Sequence, residues 1–323
     1  MAEPLTTDAP ESGAPTTTPA ATSRDDTRSG WTTARPGGTP PGRPGPPLPF
    51  AVYEAIRARA DAETAPLVDG LFRPSLVLDA ETTRTDVDAK PTGADADATP
   101  DRDPHPGATG STGPGAGRLG GLPALPDGTE WPGFAGRPMQ FLAGLDCAGL
   151  AEAFRATDVG GVGGDWPLPE DGLLLFFHDD WISDFSGRGC RVLHVPAGAP
   201  PRRAPESELT TPAVAAVPVR AAWQLSAPSY QDCELENLFP DDFMIALDLA
   251  ADFRDHLPRP DVRVLGWCDT DTGRPEGHRP LLQIENRALD VDWGECVNVS
   301  FWITDEDLAA GRFDRVRHGF EVA

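Results

Sequence analysis

Residue types able to do chemistry fall in four short stretches of the chain. His178-Asp179-Asp180 would set an imidazole and two carboxylates at the end of a strand, a donor set that suits a transition metal, but no third and fourth ligand stands at a telling spacing. Asp269-Thr-Asp271-Thr-Gly273 with Glu276 and His278 places alternating carboxylates where they could converge on one hard cation. The twelfth position of a calcium loop, which should be a bidentate Glu, is however Pro280, and an acidic solvated turn is the plainer reading. Ser183 and Ser186 lie near His178 and Asp184, and Cys190 lies near His194, as nucleophile and base would. No G-x-S-x-G elbow surrounds them, so loop serines and a buried thiol suffice. Gly160-Gly-Val-Gly-Gly164 neither follows a strand nor opens a helix, and there is no Walker A sequence, so no phosphate-cradling loop is expected. On this reading the catalytic residues are unknown, and neither a cofactor nor a tightly bound metal is expected.

The five cysteines, Cys147, Cys190, Cys233, Cys268 and Cys296, are odd in number and form no C-x-x-C. That fits neither a disulfide framework nor a zinc knuckle, and reduced, buried thiols are expected. Eight tryptophans are more notable. Trp131, Trp166, Trp181, Trp223, Trp267, Trp293 and Trp302 lie in the second two thirds of the chain, several beside Gly or Pro. Such rings either anchor a partner or plug a loop onto its own core.

The elements that must position these residues begin well inside the chain. Over 323 residues, 34 Gly and 36 Pro exceed average usage, so a good part of the chain does not pack. Residues 1–48, rich in Pro, Thr, Gly and Ala, read as a disordered tail. Residues 81–117 read as a flexible Gly/Pro/Asp-rich insertion, and residues 49–80, with a helical spacing through Tyr53 and Arg57 and a strand at 74–79, belong to the body. The main domain is residues 118–323. It carries 34 acidic and 17 basic residues, a net −17 of the whole chain's −24, so the acidity belongs to the folded surface. That charge disfavours nucleic acid and favours a protein with a basic face as partner. No apolar run reaches membrane-helix length and no secretory signal opens the chain, so the expected location is the cytoplasm.

Within the body, residues 118–132 read as an ordered loop that buries Leu119, Leu122, Leu125 and Trp131. A strand over 138–146 leads to a helix over 147–156 capped by Asp146. Strands follow at 173–178, apolar on both faces, and at 191–195 and 213–220. A helix opening at Pro240 and closed by Pro258 precedes strands at 280–286 and 297–303. Thr304-Asp-Glu-Asp307 then starts a short helix that stops at Gly311. Two blocks echo each other: Arg137-Pro-Met-Gln-Phe-Leu with the strand at 173, and Arg279-Pro-Leu-Leu-Gln-Ile with the strand at 297. The fold class expected is α+β, a single β-rich domain in which a strand-turn-strand unit is duplicated, flanked by a few helices.

Leu119-Gly-Gly-Leu-Pro-Ala-Leu-Pro with Trp131-Pro132, Arg137-Pro-Met-Gln-Phe-Leu-Ala, Leu168-Pro-Glu-Asp-Gly, Leu281-Leu-Gln-Ile, Asp292-Trp-Gly294, Phe301-Trp-Ile and Asp307-Leu-Ala-Ala-Gly-Arg-Phe-Asp314 together resemble the YwqG-like family, a bacterial domain of unknown function. The resemblance covers 118 to the C-terminus and takes in 73–79 as the preceding strand. It implies an α+β fold with internal duplication and no known reaction. Gly144, Leu265-Gly-Trp-Cys-Asp-Thr-Asp and Glu295-Cys296 depart from the family pattern. Trp131 and Trp293 sit in the two Gly-containing loops that the resemblance marks, and they are the candidate partner-binding residues. The function these observations favour is a non-enzymatic intracellular binding or protein-interaction domain. The alternative is an enzyme whose site residues converge only in the fold.

Overall fold

The structure, a computed structural model, describes residues 53–54, 57–58, 65–81, 113–156, 165–179, 187–207, 210–229, 243–257, 259–269 and 274–322. Helix α1 (Ala65–Leu71) leads into strand β1 (Arg73–Ala80). Next come β2 (Gly115–Leu119), the small pair β3 (Gly133–Phe134) and β4 (Arg137–Pro138), and β5 (Gln140–Asp146), which runs directly into α2 (Cys147–Arg155). Strands β6 (Leu173–His178), β7 (Cys190–Val195) and β8 (Val217–Ser226) follow, then α3 (Phe243–His256) and β9 (Val262–Leu265). The chain closes with β10 (His278–Glu285), α4 (Asn286–Leu289), β11 (Cys296–Thr304), α5 (Asp305–Ala309), a 3-10 turn (Phe313–Arg315) and β12 (Arg317–Val322).

Ten of these strands form one antiparallel sheet in the order β12-β11-β10-β9-β1-β8-β2-β5-β6-β7. β1 and β8 are its centre. From them two wings extend, β2-β5-β6-β7 on one side and β9-β10-β11-β12 on the other, each in chain order. The sheet curls until its edges nearly close. His318 N–H donates to Gly187 O at 3.0 Å, and the Cys190 thiol reaches Val316 O at 3.5 Å, so the segment leading into β7 meets β12. Closure of this kind leaves little open edge for another chain to pair with.

The concave face holds the main core. Because side chains alternate across a strand, Leu76 and Leu78 of β1, Leu174 and Phe176 of β6, and Leu282, Ile284, Val299 and Phe301 of β10 and β11 all point inward. Phe176 and Phe301, from opposite wings, stack edge to face at 5.2 Å. Helix α2 lies on this face against β1, β2, β5 and β8, burying Leu150, Ala153 and Phe154. Asp146 Oδ1 accepts from Gly149 N–H at 2.8 Å, the N-cap read from sequence. The helix can come so close to the sheet because a Cβ at Gly149 would stand 2.0 Å from Gly115 O. A smaller cluster joins α1, α3 and the end of β8 through Val68, Leu71, Phe72, Leu225, Leu249 and Phe253.

Several sequence expectations change. The insertion read as 81–117 ends earlier, because Gly115–Leu119 is strand, and its residues 82–112 lie outside the described set, as do residues 1–48. The strand expected at 213–220 is shifted to Val217–Ser226. Strands β9 and β12 and helix α4 have no counterpart among the sequence-derived elements. Residues 120–132 are the ordered loop expected, with Leu125 fully buried.

Candidate functional site

The two wings treat their convex faces differently. On β5 to β7 the outward residues Phe141, Leu175, Phe177 and Val195 are apolar, and the loop carrying Leu125, Trp131 and Phe134 covers them. On β9 to β12 the outward residues are Arg263, Gln283, Glu285, Ser300, Asn298 and Glu321, set side by side by the register Arg263–Gln283–Ser300 and Glu285–Asn298–Glu321. Arg263, Gln283, Asn298 and Ser300 are nonetheless buried.

What folds over part of this polar face is the turn after β9. Leu265 and Gly266 both take left-handed backbone, φ 62° and 73°, and reverse the chain. Only glycine fits at 266, since a Cβ there would lie 2.3 Å from Ser226 Oγ. Trp267 then anchors the return by giving Nε1–H to Leu71 O at 2.8 Å, with the Arg73 guanidinium 3.6 Å over its ring. Cys268 and Asp269 are thereby laid on the sheet. Arg263 pairs with Asp269 at 3.3 Å and donates to Trp267 O at 3.0 Å. Gln283 Oε1 accepts from Asp269 N–H at 2.8 Å while its Nε2 donates to Asp269 Oδ2 at 3.2 Å and to Glu285 Oε1 at 3.4 Å. The Cys268 thiol donates to Ser300 Oγ at 3.6 Å.

Electrostatics follow from this burial. Desolvation pushes the Glu285 carboxyl up to about 7; Arg287 opposes that shift, and Asp269 and Asp261 add to it. Glu285 therefore changes charge near neutrality, which a solvated glutamate does not. Burial drives the thiols the other way from reactivity, Cys268 and Cys147 to about 12 and Cys296 to about 11. These three and Cys190 are buried and form no disulfide among the described residues; Cys233 lies outside the described residues.

A second polar group sits at the seam. His178 Nε2 and His318 Nδ1 share a hydrogen bond of 2.9 Å inside the closed sheet. One must be donor and the other acceptor, so the two rings cannot both carry a proton on the shared nitrogens, and burial together with His318 holds His178 well below the usual imidazole range. The neighbouring Asp179 is paired with Arg137 at 2.8 Å, both largely buried. Next to them Trp293, 8% exposed, donates Nε1–H to Gln140 Oε1 at 3.5 Å.

The sequence-derived candidates are thus scattered. Trp131 is half-buried, with Nε1–H on Met139 O at 3.0 Å and its ring edge to face with Phe177 at 5.5 Å. Trp293 is buried at the seam, and the structure does not bring the two together. His178 has an imidazole rather than Asp179 as its partner. Asp180, Ser183, Asp184 and Ser186 lie outside the described residues. Cys190 and His194 bond separately, to Val316 O and Asp171 O. Of the calcium-loop residues, Asp269 is held by Arg263 and Gln283, and His278 Nδ1 bonds Glu276 O at 2.8 Å. Among the described residues no three His, Cys, Asp or Glu side chains are grouped to hold a metal ion. A shallow depression along α2 is lined by alanines, the Arg155–Glu170 ion pair and Glu152.

Against known families, residues 117–321 match the Domain of unknown function DUF1963. The chain belongs to the DUF1963 family. No curated protein matches it. The matched span starts just before β2, although the DUF1963 domain of this chain also needs β1, which pairs with β8 along its whole length and with β9 at the centre of the sheet. No helix of the described residues is long and apolar enough to cross a membrane.

The polar row escaped the sequence reading for a physical reason. Val262-Arg-Val, Leu282-Gln-Ile-Glu, Val297-Asn-Val-Ser and Phe320-Glu-Val alternate apolar with polar, the pattern of a strand with one face in water. The alternation was legible, but only the fold lays residues 267–269 over part of that polar face.

Proposed function

We propose that this DUF1963 domain is a non-enzymatic binding domain, working in the cytoplasm, whose partner is a protein with a basic face. The observation that carries the reading is charge: residues 118–323 hold twice as many acidic as basic residues. A concave face filled by Phe176, Phe301 and their neighbours leaves recognition to the outer surface. Opposite charge speeds encounter and selects partners more than it adds affinity. Trp131, half-buried, keeps ring surface for such a partner, whereas Trp293 contributes from beneath. We read the two wings as copies of one strand-turn-strand unit and the family as the YwqG-like group of bacterial domains. The shared run of strand into helix, β5 into α2 and β10 into α4, supports the duplication.

Titration calorimetry of the full chain against poly-lysine and against duplex DNA tests the reading. Binding to poly-lysine, weakening at least about tenfold between about 50 and 500 mM salt, and no binding to DNA are expected. Binding to DNA, or none to the polycation at low salt, would overturn it. An enzyme is the second reading, favoured by one observation: a carboxyl near 7 beside Arg287, Asp269 and Gln283 is suited to proton transfer at neutral pH.

A further inference from the structure

Glu285, Asn298 and Glu321 stand directly opposite one another on β10, β11 and β12. Their side chains leave the convex face as neighbours about 5 Å apart at Cβ. Asn298 donates Nδ2–H to Glu321 Oε2 at 2.9 Å. That bond takes up Nδ2 on the β12 side and leaves Oδ1 as the other end of the carboxamide. Asn298 is 1% exposed, and its Oδ1 has no hydrogen-bond partner among the described residues. A buried carbonyl left so is destabilising. Beside it the Glu285 carboxyl accepts only a long 3.4 Å bond from Gln283 among the described residues. Of these neighbouring acceptors Asn298 Oδ1 lacks a donor among the described residues and Glu285 has only the long one, with a second carboxylate at the far end.

The charged neighbours are already engaged. Before β9, Asp261 holds Arg287 of α4 at 2.6 Å, and on β9 Arg263 holds Asp269. On β11 the Cys296 thiol turns to Asn298 O at 3.1 Å, and on β12 Arg317 stands four residues from Glu321, opposite Trp302. Glu285 and Glu321 are each only part-buried, so the two carboxylates that flank the buried Asn298 can be reached from solvent.

We propose that this row is where the basic partner inserts one arginine side chain, its guanidinium bridging the Glu285 carboxylate, Asn298 Oδ1 and Glu321. The inference rests on the binding reading above and names its point of contact. A guanidinium suits the row because it offers several N–H donors in one plane, matching oxygens set in a line, whereas an ammonium is a point charge. Two carboxylates are a sparse ligand set for a hard metal ion, which takes six or more oxygens.

The test is fluorescence anisotropy of labelled octa-arginine with the full chain at low salt. Glu285→Gln and Glu321→Gln should each weaken binding at least about fivefold, while Glu130→Gln and Glu152→Gln, which remove the same charge from exposed positions elsewhere, should change it less than about twofold. Equal weakening by all four would overturn the site and leave the binding reading standing. No binding of octa-arginine by the wild type would sink both. A measurement free of substitutions comes from the wild-type nitrogen-15 spectrum: the Asn298 carboxamide resonances should shift as octa-arginine is added, and their staying fixed at saturation would contradict the proposal. Octa-lysine should bind less tightly, and equal affinity would refute the choice of arginine.

Discussion

The convex faces of the two wings start from the same strand alternation and end as opposites. Under the loop at residues 120–134, Phe141, Leu175 and Phe177 pack against Leu125 and Trp131, and burial there is favourable on its own. On β9 to β12 a comparable row is Arg263, Gln283, Ser300, Glu285 and Asn298, where burial is unfavourable unless every group finds a partner. Most do, through Asp269 and Cys268, but Asn298 Oδ1 does not among the described residues. One face holds the fold together; the other keeps polar groups dry at a cost to stability, as binding and catalytic sites do.

The largest expected effect comes from removing what joins the wings. Deleting residues 1–80 takes away β1 from between β8 and β9, and the remainder should show no cooperative thermal transition by calorimetry. A two-state melt would mean the wings do not need their common centre. Next, Phe177→Ala empties a fully buried site on the apolar face and should cost about 3–5 kcal/mol in urea unfolding. Arg263→Leu on the polar face should cost about 3 kcal/mol by leaving the part-buried Asp269 without its cation, and adding Asp269→Asn should restore part of it. No second change on the apolar face offers such a rescue. If the double variant is no better than the single, the polar face is ordinary packing.

A pH series sharpens the contrast further. The Glu285 carboxyl, near 7 in the folded chain and near 4.5 unfolded, keeps its proton longer when folded, so stability from this group falls as pH rises from about 4.5 to 7 and is level above. Glu285→Gln should therefore be more stable than wild type by about 2–3 kcal/mol at pH 8 and equal to it at pH 4. His178 has the reverse sign: its folded value lies below 6.5, so its contribution is present above that pH and is lost as pH falls. The smallest effect expected is Trp131→Phe, which loses the indole bond to Met139 O and should cost about 1 kcal/mol.

Much of the scaffold was legible in the chain. The Asp146 cap, the two-sided apolar strand at 173–178 and the Thr304 cap, whose Oγ1 accepts from Asp307 N–H at 3.1 Å, are local features, and local chemistry decided them. Strands β9 and β12 were not legible, since four to six residues with Arg, His and Glu among them become strands only by pairing with β1, β10 and β11. The candidate site stayed hidden for the same reason. Asn298 and Glu321 are 23 residues apart in sequence, and Arg263 and Asp269 meet only because Leu265 and Gly266 reverse the chain.

The central claim is that the β9 to β12 face holds a partly desolvated carboxylate, Glu285, ready for a cation. Carbon-13 NMR of the Glu285 side-chain carboxyl in the full chain, followed from pH 3 to pH 9, tests it most directly. The account predicts a midpoint of about 7 in the free protein, falling by about one unit or more in the presence of saturating octa-arginine. A midpoint near 4.5 in both conditions would contradict it, because Glu285 would then be an ordinary solvated glutamate and the polar face no different from the rest of the acidic surface.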